Sequence, residues 1–157
     1  MSPSAMKSPL NDADKEVTGA ALNRALVDLI DLGLVAKQAH WNLVGKAFRS
    51  IHLQLDEVVD QTRLFADDIA ERAVTIGVAP DGRAATVAQE SALAEHPTGW
   101  IQDTDVVAYF VEALGVVIGR LREGITATES ADVVSQDMLI GVTAALEKHH
   151  WMFQAER

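Results

Sequence analysis

The sequence predicts an all-α chain in which four long helices pack as a bundle, with one long crossover in the middle. Three observations carry this prediction. The four prolines are Pro3, Pro9, Pro80 and Pro97, which leaves two long stretches free of the strongest helix breaker. Within those stretches apolar residues recur at three- and four-residue spacing. No segment shows the strict alternation of a half-buried strand, and no internal repeat is present. With 157 residues, 48% of them hydrophobic and 23% charged, the chain can bury the core of one ordinary domain.

The first helix is expected near 13–41. Leu22, Leu26, Leu29, Gly33 and Ala36 form its stripe, and Asn11, Asp12 and Asp14 supply the cap and first-turn acids. Asn42–Gly45 is a short break. The second helix, near 48–76, carries Phe48, Ile51, Leu55, Val58, Val59 and Ile69 on its apolar side and stops at Gly77 and Pro80. Residues 77–103 hold two prolines and several turn residues, so they read as a long crossover with a short helix around 84–94. The third helix, near 104–127, presents Val107, Phe110, Val111, Leu114, Val117, Ile118 and Leu121. The fourth, near 131–154, presents Val134, Met138, Val142, Ala145, His149 and Met152, with Ser130 as its expected N-cap. Two long helices, a long crossover and two more long helices make a ferritin-like four-helix bundle. The bundle is expected to occupy 13–157, with 1–12 as a flexible tail.

Composition narrows the function. The formal net charge is −10, from 23 acids against 13 Lys and Arg, which disfavours a binder of phosphate backbones and favours one of cations. The absence of Cys excludes disulfides, thiolate metal sites and a thiol nucleophile. The first residues lack the apolar run of a secretory signal, and no run approaches the roughly 18 residues of a membrane span. A cytoplasmic protein without membrane contact is expected, with nucleoid association as the alternative location.

The second helix carries the chemical signal. His52 and Asp56 stand four residues apart, as do Asp67 and Glu71. At ~100° per residue all four share one face. At ~1.5 Å per residue the two pairs lie about 16 Å apart, too far for one metal on one helix. Either there are two weak sites, or one site is shared between chains. The pairs are symmetric about positions 61 and 62, so an antiparallel copy crossing there would set each pair against the other, twice per dimer. His40, at the end of the first helix, falls near His52 across the helical hairpin. Two imidazoles and three carboxylates suit Fe(II), Mn(II) or Zn(II), with coordination positions left open. Asp and Glu at this spacing are also common on plain solvated faces.

At these residues the sequence resembles the Dps family (DNA-binding protein from starved cells), small relatives of ferritin. The matching text is KQAHWN at 37–42, Gly45, Phe48, His52, Asp56-Glu57 and DDIAER at 67–72, with APDGR and Pro97 in the crossover. The resemblance implies a hollow dodecamer that oxidises Fe(II), two ions per site, and stores ferric mineral. It implies metal-binding and catalytic roles for His40, His52 and Asp56 of one chain with Asp67 and Glu71 of its twofold partner. Hydrogen peroxide is the implied oxidant, with oxygen slower, and Zn(II) or Mn(II) are competitors. Lys37 matches a basic position behind the ligands, and Trp41 an aromatic residue beside them. Asp132 and Asp137 match positions of a threefold pore through which iron comes in, Glu129 could add to its mouth, and Gly141 stands where a third acid is frequent.

DNA binding is expected to be weak or absent, because the first eleven residues hold one basic residue, Lys7, and the chain is acidic throughout. His149 reads as a core histidine, His150 as a surface or interface residue, and His96 as part of the crossover. Trp100 and Trp151 read as packing or interface anchors, and Phe65 and Val58 as dimer contacts. Two other function classes compete with the ferroxidase: a nucleoid protein that acts by covering DNA, and a metal-dependent hydrolase, for which no substrate pocket is evident.

Overall fold

The computed structural model describes residues 6–157, and its architecture follows the predicted order. Helix α1 spans Asp12–Asn42, α2 Phe48–Thr75, α3 Ala84–Glu90, α4 Asp103–Thr128 and α5 Val133–Ala155. Strand β1 is Leu43–Val44 and β2 is Ile101–Gln102. They pair in parallel, Leu43 with Ile101 and Val44 with Gln102, a contact too short to leave an alternating pattern in the sequence. The α1–α2 and α4–α5 hairpins pack as the two halves of the bundle.

Capping explains where the helices begin. Asn11 accepts the amide of Asp14 at 2.9 Å and opens α1. Helix α5 opens on Asp132 rather than Ser130: the Asp132 carboxylate accepts the amides of Val134 and Ser135. Helix α2 ends ahead of Gly77, whose φ of +80° only glycine adopts freely, and a Cβ there would stand 3.3 Å from the Met6 carbonyl. Residues 6–8 therefore lie against the end of α2, and Leu10 packs on the core. Residues 1–5 of the expected tail lie outside the described residues.

The core holds Leu22, Leu29, Leu32, Ile51, Leu55, Ile69, Phe110, Leu114, Leu121 and Phe153, all at most 2% exposed. The predicted stripes of α1 and α4 are buried throughout. Those of α2 and α5 need correction. Phe48 is 42% exposed, and Val58 is fully buried in this chain's own core rather than at a dimer contact. In α5 the buried set is Ser135, Leu139, Val142, Thr143, Leu146, His149 and Phe153: Val142 and His149 are buried as expected, while Ser135, Leu139, Leu146 and Phe153 take the places expected of Val134, Met138, Ala145 and Met152. Trp100 and Trp151, at 79% and 63% exposed, do not pack within the chain.

The crossover is held by buried charge. Asp28, 1% exposed on α1, accepts the Ala92 amide at 3.2 Å and the Arg120 guanidinium at 3.1 Å. Burial pushes the Asp28 carboxyl above the usual carboxylate range, and these two donors oppose the shift. The Ser91 hydroxyl donates to Asp31 and ends α3 at Glu90, short of the predicted 94.

Candidate metal centre

The α1–α2 hinge brings His40 and His52 together. Gly45 takes φ of +142°, and a Cβ there would fall 2.2 Å from the Asp103 carboxyl carbon, so the position requires glycine. Asp103, the first residue of α4, accepts the Ala47 amide at 2.7 Å. The hinge is thus tied to the other hairpin by a carboxylate as well as by the β1–β2 pairing. Asp103 is a site-shaping residue that spacing arguments did not find.

Across the hinge the two imidazoles stack, with ring centroids 3.6 Å apart and planes 20° from parallel. Each ring donates its Nδ1–H to the other residue's backbone carbonyl at 3.0 Å. A carbonyl can only accept, so a proton sits on each Nδ1, and in the neutral ring Nε2 is then the nitrogen with the lone pair. That is the tautomer in which a histidine binds a metal through Nε2. Phe48, one turn before His52, stacks on the other face of that ring, with centroids 4.9 Å apart.

Asp56 lies one turn further along α2. Its Oδ1 is 3.2 Å from His40 Nδ1 and accepts the Lys37 ammonium at 2.5 Å. The Lys37 hydrogen bond holds the Asp56 carboxyl below its ordinary value. His40, His52 and Asp56 therefore form one cluster, with Lys37 as its internal counter-charge.

Asp67 and Glu71 do not join that cluster. Both are exposed on the same helix. Among the described residues no group of three His, Cys, Asp or Glu of this chain is placed to hold a metal ion, so His40, His52 and Asp56 adjoin without making a complete site on their own. Trp41, 62% exposed, lines an apolar groove of about 560 Å³ with Leu34, Lys37, Gln38 and Arg63. Asp67 lines an adjoining depression with Asp60, Arg63 and Leu64. The two depressions share Arg63.

At the other end of the bundle Asp132 is already engaged. It pairs with Arg72 at 2.7 Å, accepts the Ser135 hydroxyl at 2.5 Å, and caps α5. Burial raises its carboxyl pKa, but the hydrogen bonds from Arg72 and Ser135 outweigh this and hold it below the usual range. Asp137 and Glu129 are exposed. His149 is buried and donates from Nε2 to Gln61 Oε1 at 3.0 Å, as a core histidine should. His96 is buried edge-on to Tyr109, and His150 is half-buried.

A sequence model of the ferritin-like domain matches residues 19–156. The chain is 34% identical over 135 residues to DNA protection during starvation protein 2 of Deinococcus radiodurans, covering 86% of this chain but only 56% of that protein. It is 33% identical to the DNA protection during starvation protein of Agrobacterium fabrum, covering 95% of this chain and 93% of the relative. The Dps structure of Mycobacterium smegmatis in its tetragonal form superposes with a TM-score of 0.91 at 30% identity, over 96% of this chain and 92% of that one. The domain match, the near full-length relatives and the shared bundle agree: this chain belongs to the Dps family of ferritin-like proteins.

Proposed function

We propose that the chain is a ferroxidase and iron store. Two Fe(II) ions bind at a site made by His40, His52 and Asp56 of one subunit and Asp67 and Glu71 of its twofold partner. Each ion gives one electron to hydrogen peroxide. The O–O bond breaks, two protons are taken up, and two water molecules leave. Because both electrons go to one peroxide, no hydroxyl radical is released. Oxygen is the slower oxidant, and Zn(II) and Mn(II) compete for the same ligands. The ferric product is stored inside a hollow dodecamer built from such dimers, in the cytoplasm.

The observation that carries this reading is the crossed pair of Nδ1–H donations between His40 and His52. It leaves Nε2 of two stacked rings as the metal-binding nitrogens, next to the lowered-pKa Asp56, while Asp67 and Glu71 remain exposed on the same helix. In a pore for incoming iron, the exposed Asp137 and Glu129 are the cation guides. Asp132 serves as cap and ion pair, so its charge is largely neutralised by Arg72. Protection of DNA, the activity in the relatives' names, is achieved here by removing iron and peroxide. Direct coating is disfavoured by the net charge of −10, and a gel shift at physiological salt is expected to show no retarded DNA.

Complementation tests the shared site. Asp56→Asn and Glu71→Gln are each expected to abolish rapid peroxide-driven oxidation of anaerobically loaded Fe(II). In a mixed dimer of the two variants, one site carries both changes and the other carries neither. Random co-assembly then restores about a quarter of the normal sites. No recovery in a confirmed mixed assembly overturns the shared site. Ferric iron that precipitates at the protein-free rate with the unaltered chain overturns the ferroxidase.

A further inference from the structure

We propose that Phe48 is a positioning residue for the metal centre, acting through the ring of His52. The inference rests on the reading of His40, His52 and Asp56 as ligands and goes beyond it by naming what holds the outer imidazole in plane.

The three rings form one stack. His40 is at its inner end and 8% exposed, His52 is in the middle, and Phe48 closes the outer end at 42% exposed. The His52 Nδ1–H bond to the His40 carbonyl fixes one point of the ring, but a single hydrogen bond leaves the plane free to swing about it. On its inner face the ring meets His40 at 3.6 Å. On its outer face it meets Phe48 at 4.9 Å and 29°. Phe48 and His52 are one helical turn apart, so the ring contact is built into α2 itself. With both faces covered, the plane is set and the Nε2 lone pair keeps one direction. Within the chain Phe48 also covers the face of the His52 ring that His40 leaves open. Within the single chain Phe48 is not a core residue, since 42% of it is exposed.

The test titrates metal-free protein with Co(II) and reads the visible d–d absorption, which reports both affinity and ligand geometry. Phe48→Leu keeps apolar bulk and removes the flat ring, and Phe48→Tyr keeps the ring. Each variant is compared with the unaltered chain in size-matched assemblies. Phe48→Leu is expected to weaken Co(II) binding about tenfold, the lower range for loss of a group that orients a ligand, and to change the band shape. Phe48→Tyr is expected to restore both. If Phe48→Leu fails to assemble, Phe48→Met makes the same comparison. Unchanged affinity and spectrum in the ring-less variant, or equal loss in Phe48→Tyr, overturns the inference while leaving the metal centre standing. If the unaltered chain shows no Co(II) spectrum that His52→Ala abolishes, it is the metal centre itself that fails.

Discussion

Lys37 sets its ammonium against the Asp56 carboxylate, and in the proposed site this contact bears on how that carboxylate would meet a metal. Its ammonium takes Oδ1, which leaves Oδ2 as the oxygen for an incoming ion. The pair is partly exposed, with side chains 28% and 39% accessible, so its strength lies in the range of about 0–1 kcal/mol typical of surface ion pairs. Lys37→Met removes a competing positive charge and is expected to tighten divalent-cation binding at neutral pH by about two- to fivefold. Isothermal titration with Co(II) measures this, and weaker binding would mean that Lys37 orients Asp56 more than it repels the metal. His52 and Asp56 were legible in the sequence because helical spacing sets them on one face of α2, and His40 because the hairpin returns the end of α1 beside the start of α2. The roles of Phe48 and Asp103 were not. A ring stack depends on side-chain torsions, and Asp103 acts on Ala47 from 56 residues away.

Among the elements, the crossover depends most on a single contact. Arg120→Ala would leave the Asp28 carboxylate, 1% exposed, with only the Ala92 amide as partner. Stranding a buried charge in this way costs about 3 kcal/mol. The urea midpoint is expected to fall, and limited proteolysis should open the segment between α3 and β2. Replacing both partners with apolar residues, Asp28→Leu with Arg120→Met, should recover most of the loss, since the destabilisation comes from the unpaired charge. Helices α1 and α4 were readable because the residues of their apolar stripes all face the chain's own core, although Leu34, Trp41 and Val116 stand exposed off those stripes. Helix α5 misled because apolar residues lie on both sides of it. Val133, Val134 and Ile140 are exposed, while Ser135 and Thr143 are buried with their hydroxyls bonded to Asp132 and the Leu139 carbonyl. Periodicity counts apolar residues and overlooks buried hydroxyls that satisfy themselves locally. Ser130 failed as a cap for a related reason: Ser130 and Asp132 are both good capping residues, and the extended backbone at Asp132 made the choice.

For the whole molecule, acid is the expected weakness. Burial pushes the imidazoles of His96 and His149 below their usual value. In the unfolded chain histidine titrates near ~6.5, so below that pH the unfolded state binds more protons than the folded one. Stability from these two sites is complete above that pH and is lost as pH falls through it, until the folded rings also take protons. The urea midpoint should therefore drop between about pH 7.5 and about pH 5.5, and His149→Gln should flatten the slope. A midpoint constant over that range would contradict the buried neutral rings. The α1–α2 hinge has a further consequence, which concerns timing. The first 75 residues already hold both histidines and Asp56 in a local hairpin, so they leave the ribosome well before the Asp103 clamp and the β2 strand that steady the hinge. With Asp67 and Glu71 supplied by a second chain, as proposed, a newborn subunit has an incomplete site and cannot oxidise iron. The chemistry waits until two finished chains meet.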